Sequence, residues 1–460
     1  MAQNRQSLRL EQISAILEDE EEAFDETDDE LGIEEDADKF WEPEHESNSE
    51  LSDNEEPSTS TSSQPPSDSS TYFLGRDKST KWNKSIPRQR VRQRSHNIVT
   101  HLPGSKGAAR DAKSKTDCFL LFFDKSIIEL IMKHTNEYIS LVRHKFQRER
   151  DAKDVIYEEM LAFFGLLAMS GVLRSSHLNF LDLWANDGTG IEFFSDTMSA
   201  KRFLFILRCL RFDDTSSRQS RLNVDKLAPI RQFCDILNEN CRKHYTVSEY
   251  VTVDEQLSAF RGRFSGLVYM PSKPNKYGIK HYAMVDAKTA YLQKFEVYVG
   301  KQPDGPYNIP NDTKSIVKRL TETIKNTGRN ITTDNYFTSI DLAKDLLKDK
   351  LTIVGTLRKN NKEIPQAFLP DRRREVHSTL FGFHDNLTLC SYVSKKSKAV
   401  VVLSSMHHDD IIDEGELKKP EMILFYNKTK GGVDTNDKLC STYNVARLTK
   451  RWPMKICDNC

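Results

Sequence analysis

The sequence has few cysteines, no long apolar run and no internal repeat. Its eight cysteines among 460 residues lie mostly singly, so they do not predict the disulfide framework of a small secreted protein. No apolar stretch approaches the roughly 20 residues that a membrane-spanning helix needs. Residues 1–12 (MAQNRQSLRLEQ) also lack the apolar segment of a secretory signal. We therefore expect an intracellular protein of a reducing compartment with no membrane partner.

The formal net charge of −1 conceals a strong separation of charge along the chain. Residues 11–57 contain 22 acidic side chains and a single lysine, whereas residues 76–115 contain 12 basic and two acidic side chains. Because the first 115 residues sum to −10, the body from residue 116 onward has a net charge of +9. A basic body suits a polyanionic partner. The acidic run is typical either of a solvated tail or of a segment that competes for that basic surface.

Composition predicts that residues 1–115 form a disordered tail, first acidic and then basic. Residues 58–71 (STSTSSQPPSDSST) are rich in serine, threonine and proline, and the whole segment has little apolar surface to offset the entropy lost on ordering. The basic cluster at 84–94 is typical of a nuclear localisation signal, a phosphate-binding arm or a solvated linker.

Hydrophobic periodicity predicts an α/β protein in which a helical region precedes a mixed sheet. Asp124 is a candidate N-cap for one helix, and residues 155–169 are apolar on nearly all sides, which predicts a buried helix. From residue 250 the order of elements is three strands, a helix, a strand, a helix and a strand, which indicates a mixed sheet with helices. The expected boundaries are a tail at 1–115, a helical region at 116–249, a sheet at 250–360, an interruption of loops and short strands at 361–420, and the last part of the core at 421–460, in which a helix opens near Gly432.

Four aspartates lie where their side chains can converge on one cleft. Asp254 and Asp334 fall at predicted strand ends, and Asp434 and Asp437 are three residues apart, so on a helix they share a face. Divalent cations prefer carboxylate oxygens, and two-metal phosphoryl transfer uses several of them. An aspartate at a strand end is also commonly a cap or turn residue, so spacing alone leaves both interpretations open.

Basic and aromatic side chains surround these aspartates. They predict phosphate contacts, and a solvated surface is the alternative for each of them. The candidate DNA-contacting residues are Arg261, Arg263, Lys276, Lys280, Lys430, Arg451 and Trp452. The tryptophan suits either stacking on an unpaired base or packing in the core. Asp286 and Asp341 are interpreted as structural, and consecutive residues in the string at 407–410 (HHDD) do not all face one ion.

Six local strings, taken together, resemble piggyBac-type DDE/D transposases. They occur in the family's order and span about three quarters of the chain. They are residues 253–263 (VDEQLSAFRGR), 274–280 (PNKYGIK), 333–339 (TDNYFTS), 351–358 (LTIVGTLR), 427–437 (NKTKGGVDTND) and 451–454 (RWPM).

The resemblance implies an RNase H-like catalytic core with an insertion, preceded by a helical dimerisation and DNA-binding region. By position, Asp254, Asp334 and Asp434 match the family's catalytic triad, and Asp437 matches a fourth acidic residue. These four would hold two Mg²⁺ ions. Such enzymes act in the nucleus as homodimers on double-stranded DNA: they nick transposon ends, form hairpins and join the freed 3′-hydroxyls to TTAA targets.

The resemblance also implies that the chain lacks parts that the family has beyond this point, among them a cysteine-rich zinc domain. Cys457 and Cys460 supply two ligands, and a structural zinc needs four, so no structural zinc is expected. Two functions stay open. The chain is either a metal-dependent DNA transposase, or a domesticated or decayed transposase-derived protein that binds DNA and chromatin with host factors and does not transpose.

Overall fold

A large mixed sheet forms the centre of the computed structural model, which describes residues 71–86, 98–271, 273, 275–446 and 449–459. Within these residues, eleven strands pair into one sheet and two short strands pair separately. The strands are β1 Tyr72–Leu74, β2 Lys81–Asn83, β3 Gly104–Ser105, β4 Tyr245–Thr246, β5 Tyr250–Ala259, β6 Leu267–Tyr269, β7 Tyr277–Asp286, β8 Leu292–Val297, β9 Asn330–Thr333, β10 Thr352–Thr356, β11 Thr379–His384, β12 Leu387–Lys395 and β13 Lys398–Ser404.

Helices fill the N-terminal half and flank the sheet, as the sequence predicts. They are α1 Lys115–Phe122, α2 Lys125–Val142, α3 Tyr157–Val172, α4 Glu192–Thr197, α5 Ala200–Cys209, α6 Arg218–Leu222, α7 Arg231–His244, α8 Thr313–Leu320, α9 Ile340–Lys348, α10 Glu421–Thr429, α11 Gly432–Thr442 and α12 Trp452–Asn459. The Asp124 carboxylate caps α2 by accepting a hydrogen bond from the Ile127 N–H at 3.1 Å. None of the described helices is both long and apolar enough to cross a bilayer.

The strand order places β5 between β9 and β7 in one half of the large sheet. It pairs antiparallel with β7 and parallel with β9, and β9 pairs parallel with β10. The order β5, β7, β8, α8, β9, α9, β10 confirms the predicted mixed α/β arrangement, with the short β6 as an unpredicted addition. Asp254 lies in the middle of β5 and not at a strand end, so that part of the prediction is wrong.

The predicted interruption at 361–420 is an extension of the same sheet. It contains β11, β12 and β13, and β13 pairs antiparallel with β10. The sheet therefore continues without a break from β10 through β13 into β12 and β11. The sequence did not predict α10, which follows β13 and leads directly into α11.

The prediction of a disordered tail through residue 115 is wrong for residues 71–86 and for the segment that contains β3. Strands β1 and β2 form a hairpin whose edge contacts β11. The Trp82 side chain is fully buried, and its indole N–H donates to the Glu363 carbonyl at 2.9 Å. Tyr72, Phe73 and Trp82 supply the apolar surface of this hairpin. An average composition over the whole polar tail does not show this local cluster. The prediction for residues 1–70 lies outside the described residues.

The main core lies on one face of the sheet, beneath α8 and α9. Val251 and Val253 of β5 point into it together with Ile331 of β9, and all three are fully buried. Because side chains alternate along a strand, the even-numbered residues of β5 point to the opposite face. That opposite face is covered by α10 and α11, and α11 carries both Asp434 and Asp437.

Replacing Trp82 with alanine is expected to destabilise the protein by about 3–5 kcal/mol, because it empties a fully buried aromatic site and removes the hydrogen bond to Glu363. Denaturant unfolding monitored by circular dichroism measures the loss. Trp82→Phe, which keeps an aromatic ring, should lose less. Equal stability of wild type and Trp82→Ala would contradict the packing of the hairpin against the sheet.

Candidate active site

Asp254 and Asp334 are brought side by side by the register of two parallel strands. Val253 of β5 is the partner of Thr333 of β9. Asp254 and Asp334 are the next residues along the two segments, so they continue the same register. Both carboxylates leave the sheet on the face opposite the main core, since each lies one residue beyond a core-facing or buried position. Both side chains are half-buried.

The Asp334 side chain is held by the turn that follows β9. The Tyr336 N–H donates to Asp334 Oδ1 at 3.0 Å, and the Thr338 hydroxyl donates to the Asp334 carbonyl at 2.6 Å. The hydroxyls of Thr333 and Thr338 are 2.7 Å apart. Gly355 of β10 lies against this turn, and a Cβ atom at this position would clash with Thr338 Oγ1. The turn therefore requires glycine on the neighbouring strand.

Two hydrogen bonds hold α10 and α11 over β5 on either side of Asp254. The Thr252 hydroxyl donates to the Thr429 carbonyl at the end of α10 at 2.7 Å, and the Gln256 amide donates to Asn436 Oδ1 of α11 at 2.7 Å. Gly432 approaches Thr252 closely, and a Cβ atom on this glycine would lie 2.5 Å from the threonine hydroxyl. The first turns of α11 are thus fixed above Asp254.

The two aspartates of α11 flank the central pair. Asp434 is exposed in the first turn, and Asp437 is half-buried one turn later, which confirms their shared helix. Among the residues that the structure describes, no three acidic, histidine or cysteine side chains are close enough to hold one metal ion. The structure therefore assembles the Asp254–Asp334 pair, and the full four-carboxylate centre stays a prediction.

Burial and mutual repulsion shift the pKa values of these carboxyl groups. Burial, with the neighbouring Glu255 and Asp434 charges, raises the pKa of Asp254 well above its ordinary value, and Lys273 opposes that rise. Burial, followed by repulsion from Asp254, raises the pKa of Asp334 to about 7. Burial also raises the pKa of Asp437, again opposed by Lys273.

The central pair fits a divalent cation. Two adjacent carboxylates supply the hard oxygen donors that Mg²⁺ prefers. Their raised pKa values show that each ionised carboxylate lacks sufficient compensating positive charge in the folded protein. A cation bound at this position would supply that charge.

Two further charged residues of the site were not among the predicted site residues. Glu255 is 5% exposed, and its Oε2 atom is buried without a hydrogen-bond partner among the described residues. The Lys273 ammonium donates to the Glu255 carbonyl at 3.3 Å. Both lie within or between the strings that carry the family resemblance. Glu255 directly follows Asp254 in the sequence, whereas only the hydrogen bond to the Glu255 carbonyl places Lys273 beside β5.

Four of the predicted DNA-contacting residues lie at or near the surface. Arg261 and Arg263 are exposed in the segment after β5, and Lys276 is exposed just before β7. Lys430 is half-buried between α10 and α11, with its ammonium 5.3 Å from the centroid of the Tyr426 ring. These positions are compatible with phosphate contacts.

The side chains of the other three predicted DNA-contacting residues contact groups within the protein. Lys280 is 6% exposed, and its ammonium lies 4.4 Å from the ring centroid of Tyr298 and 5.2 Å from that of Tyr282, so its burial argues against a phosphate contact. Arg451 donates to the carbonyls of Leu207, Arg208 and Leu210 at the end of α5. Trp452 packs against Phe264, with ring centroids 4.6 Å apart.

Asp286 and His407, for which the sequence analysis did not predict a functional role, are buried and make hydrogen bonds within the protein. Asp286 is fully buried and accepts hydrogen bonds from the Ser248 hydroxyl at 2.9 Å and the Lys288 N–H at 2.8 Å. His407 is buried, with its Nδ1 atom 2.9 Å from the Ser404 hydroxyl.

Comparison with known proteins gives consistent matches. The family model described as Transposase IS4 matches residues 114–460. The human PiggyBac transposable element-derived protein 3 is 25% identical over 363 residues, which cover 75% of this chain and 59% of that protein. The human PiggyBac transposable element-derived protein 2 is 23% identical over 359 residues, which cover 74% of this chain and 58% of that protein. The match thus spans less than two thirds of the length of either relative.

A solved structure is also similar to this chain. The cryo-EM structure of a piggyBac transposase synaptic complex with hairpin DNA aligns with a TM-score of 0.73 and 40% sequence identity. The alignment covers 78% of this chain and 74% of that one. The shared fold includes the mixed sheet that carries the central pair of carboxylates.

The raised pKa of Asp334 predicts that the metal-free protein loses stability as pH rises. The folded state holds the Asp334 proton up to about pH 7, whereas the unfolded state releases it near pH 4. The unfolding free energy therefore falls between about pH 4 and about pH 7, by on the order of 4 kcal/mol for this group. Asp334→Asn should flatten that fall and be more stable than wild type at about pH 8.

Urea unfolding in EDTA across this pH range measures both effects. Asp341→Asn, at an exposed position in the first turn of α9, is the matched control and should follow wild type. The same pH dependence in wild type and Asp334→Asn would contradict the electrostatic account of the pair.

Proposed function

This chain belongs to the piggyBac-type transposase family, and on that premise we propose that it cleaves and joins DNA strands by metal-dependent phosphoryl transfer. The observation that carries the proposal is the Asp254–Asp334 pair, which adjacent parallel strands hold side by side beneath α11. Paired carboxylates with raised pKa values suit this chemistry.

Asp254 and Asp334 would hold Mg²⁺, with Asp434 and Asp437 completing a site for two ions. When bound, the two ions supply activation of a water or a 3′-hydroxyl and stabilisation of the departing oxygen. The protein contributes the fixed spacing of its carboxylates: the register of β5 and β9 sets the first pair, and the contacts of Thr252 and Gln256 hold α11 beside it. No covalent protein–DNA intermediate and no structural zinc are needed.

The proposed substrate is double-stranded DNA at transposon ends, with TTAA as the target. The similar transposase was solved as a synaptic complex with hairpin DNA, which supports this substrate class. A homodimeric assembly and a nuclear location are further parts of the proposal. Arg261, Arg263, Lys276 and Lys430 would bind phosphates, which gives affinity with little sequence preference.

A second candidate function is DNA or chromatin binding, with host chromatin factors, by a transposase-derived protein that does not transpose. Two observations favour it. Among the described residues, no three acidic, histidine or cysteine side chains lie close enough to share one metal ion. The curated human relatives bear names that mark them as derived from transposable elements.

Plasmid cleavage separates the two candidates. Supercoiled DNA with TTAA sites is incubated with Mg²⁺ and wild type, Asp254→Ala, Asp334→Asn or the control Asp341→Asn, and DNA affinity is measured in parallel. The proposal predicts nicking by wild type and Asp341→Asn and none by the other two variants. DNA affinity of Asp254→Ala and Asp334→Asn should be unchanged or higher, because each substitution removes negative charge from the cleft.

Cleavage that survives both substitutions would reject the assignment of the pair. DNA binding without cleavage by wild type would favour the second candidate, and the absence of both binding and cleavage would reject both.

A further inference from the structure

Thr356 extends the row of side chains that contains the central pair of carboxylates. Thr333 of β9 is the partner of Gly355 of β10. Asp334 and Thr356 are the next residues along these two parallel segments, so they continue the register, as Asp254 does on the other side of Asp334. Thr356 is the last residue of β10 and therefore lies next to Asp334, on the side away from Asp254.

The Thr356 side chain points to the same face of the sheet as the central pair. Side chains alternate along a strand, and Val354, two residues earlier, lies in one buried cluster with Met422 and Tyr426 of α10. Ile353 points the other way, into the main core. Because α10 and α11 cover the face that carries the central pair, the Thr356 hydroxyl belongs to that face.

The Thr356 hydroxyl is buried and has no hydrogen-bond partner among the described residues, and the residue is 4% exposed. Other hydroxyls of this face are paired. The Thr352 hydroxyl donates to Asn330 Oδ1 at 3.0 Å, and the Thr332 hydroxyl donates to the Thr429 hydroxyl at 2.8 Å. A buried hydroxyl without a partner opposes folding, so stability does not explain a threonine beside Asp334.

The Asp334 carboxylate can accept the hydrogen bond that Thr356 has to donate. A carboxylate has about four lone-pair sites. The Tyr336 N–H donates to Asp334 Oδ1 at 3.0 Å and uses one of them. The carboxylate can therefore contact a cation and still accept from a hydroxyl. Hydrogen bonds of this kind fix the orientation of carboxylates that bind metals.

We propose that Thr356 is a positioning residue of the candidate active site, whose hydroxyl donates to the Asp334 carboxylate when a divalent cation binds the central pair. This inference rests on the proposed metal-dependent function. Adjacent strands lie about 4.8 Å apart, so rotation about side-chain bonds brings the donor and the acceptor together without movement of the sheet.

The test is Mn²⁺ binding to the full chain without DNA, measured from the electron paramagnetic resonance signal of free Mn²⁺. The acidic segment at 11–57 also attracts Mn²⁺, so the site is defined as the binding component that Asp334→Asn removes. Thr356→Val keeps the shape of the side chain and removes its hydroxyl. It should bind Mn²⁺ in this component about tenfold more weakly than wild type. Thr356→Ser keeps the hydroxyl and should retain the affinity of wild type.

Thr379 of β11 offers a matched control. Its hydroxyl oxygen is also buried without a partner among the described residues, and β12, β13 and β10 separate β11 from β9. Thr379→Val should leave Mn²⁺ affinity unchanged. Because neither hydroxyl makes a hydrogen bond within the protein, neither valine variant should lower the urea midpoint in EDTA. Thr356→Ala replaces Thr356→Val if the latter does not fold, with the same expected loss of Mn²⁺ affinity.

Three results would each overturn the role of Thr356 and leave the proposed function intact: wild-type Mn²⁺ affinity in Thr356→Val, a loss of affinity that Thr356→Ser shares, or a loss that Thr379→Val shares. Absence of the Asp334-dependent component from wild type would overturn the inference and the metal-dependent function together.

Discussion

The parallel pairing of β5 with β9 is the constraint on which the site depends. A register in which Val253 is the partner of Thr333 makes Asp254 and Asp334 neighbours, and a slip of one residue would turn one carboxylate into the core. The main core fixes this register, since the odd-numbered valines of β5 and Ile331 of β9 are fully buried beneath α8 and α9. The apolar face of the sheet thus determines the geometry of the polar face.

The acidic site opposes folding in the absence of a cation. Ionised carboxylates that are close together and partly removed from water are costly, and the raised pKa values of Asp254, Asp334 and Asp437 report that cost. The polar contacts of Thr252 and Gln256 hold α11 in place despite the repulsion. A bound metal would relieve the same repulsion, which links the stability of the site to its chemistry.

The sequence predicted the elements better than their arrangement. The N-cap at Asp124 and the order of strands and helices after residue 250 follow from local periodicity, and the structure confirms them. Strand β5 is buried on both faces, so its sequence lacks a clear alternation of polar and apolar residues that would mark where the strand ends. For this reason the sequence analysis wrongly placed Asp254 at a strand end. The β1–β2 hairpin was missed because its few aromatic residues are separated by polar ones in a polar tail.

For the site residues too, the sequence predicted identities better than spatial arrangement. The family resemblance identified Asp254 and Asp334, but neither composition nor spacing gives a strand register, so their proximity required the structure. Lys280 and Arg451 resemble phosphate-binding residues in sequence, whereas the structure surrounds one with tyrosine rings and bonds the other to the carbonyls at the end of α5. A basic side chain that is buried by a distant strand or helix cannot be distinguished from an exposed one by local sequence.

The central claim is that the β5–β9 register creates a divalent cation site between Asp254 and Asp334. Anomalous diffraction from crystals of the protein soaked in Mn²⁺ tests it most directly, because the anomalous signal locates the ion without reference to activity. The account predicts a peak in contact with oxygens of both carboxylates. Ordered density for both side chains without such a peak, or a peak that contacts neither of them, would contradict it.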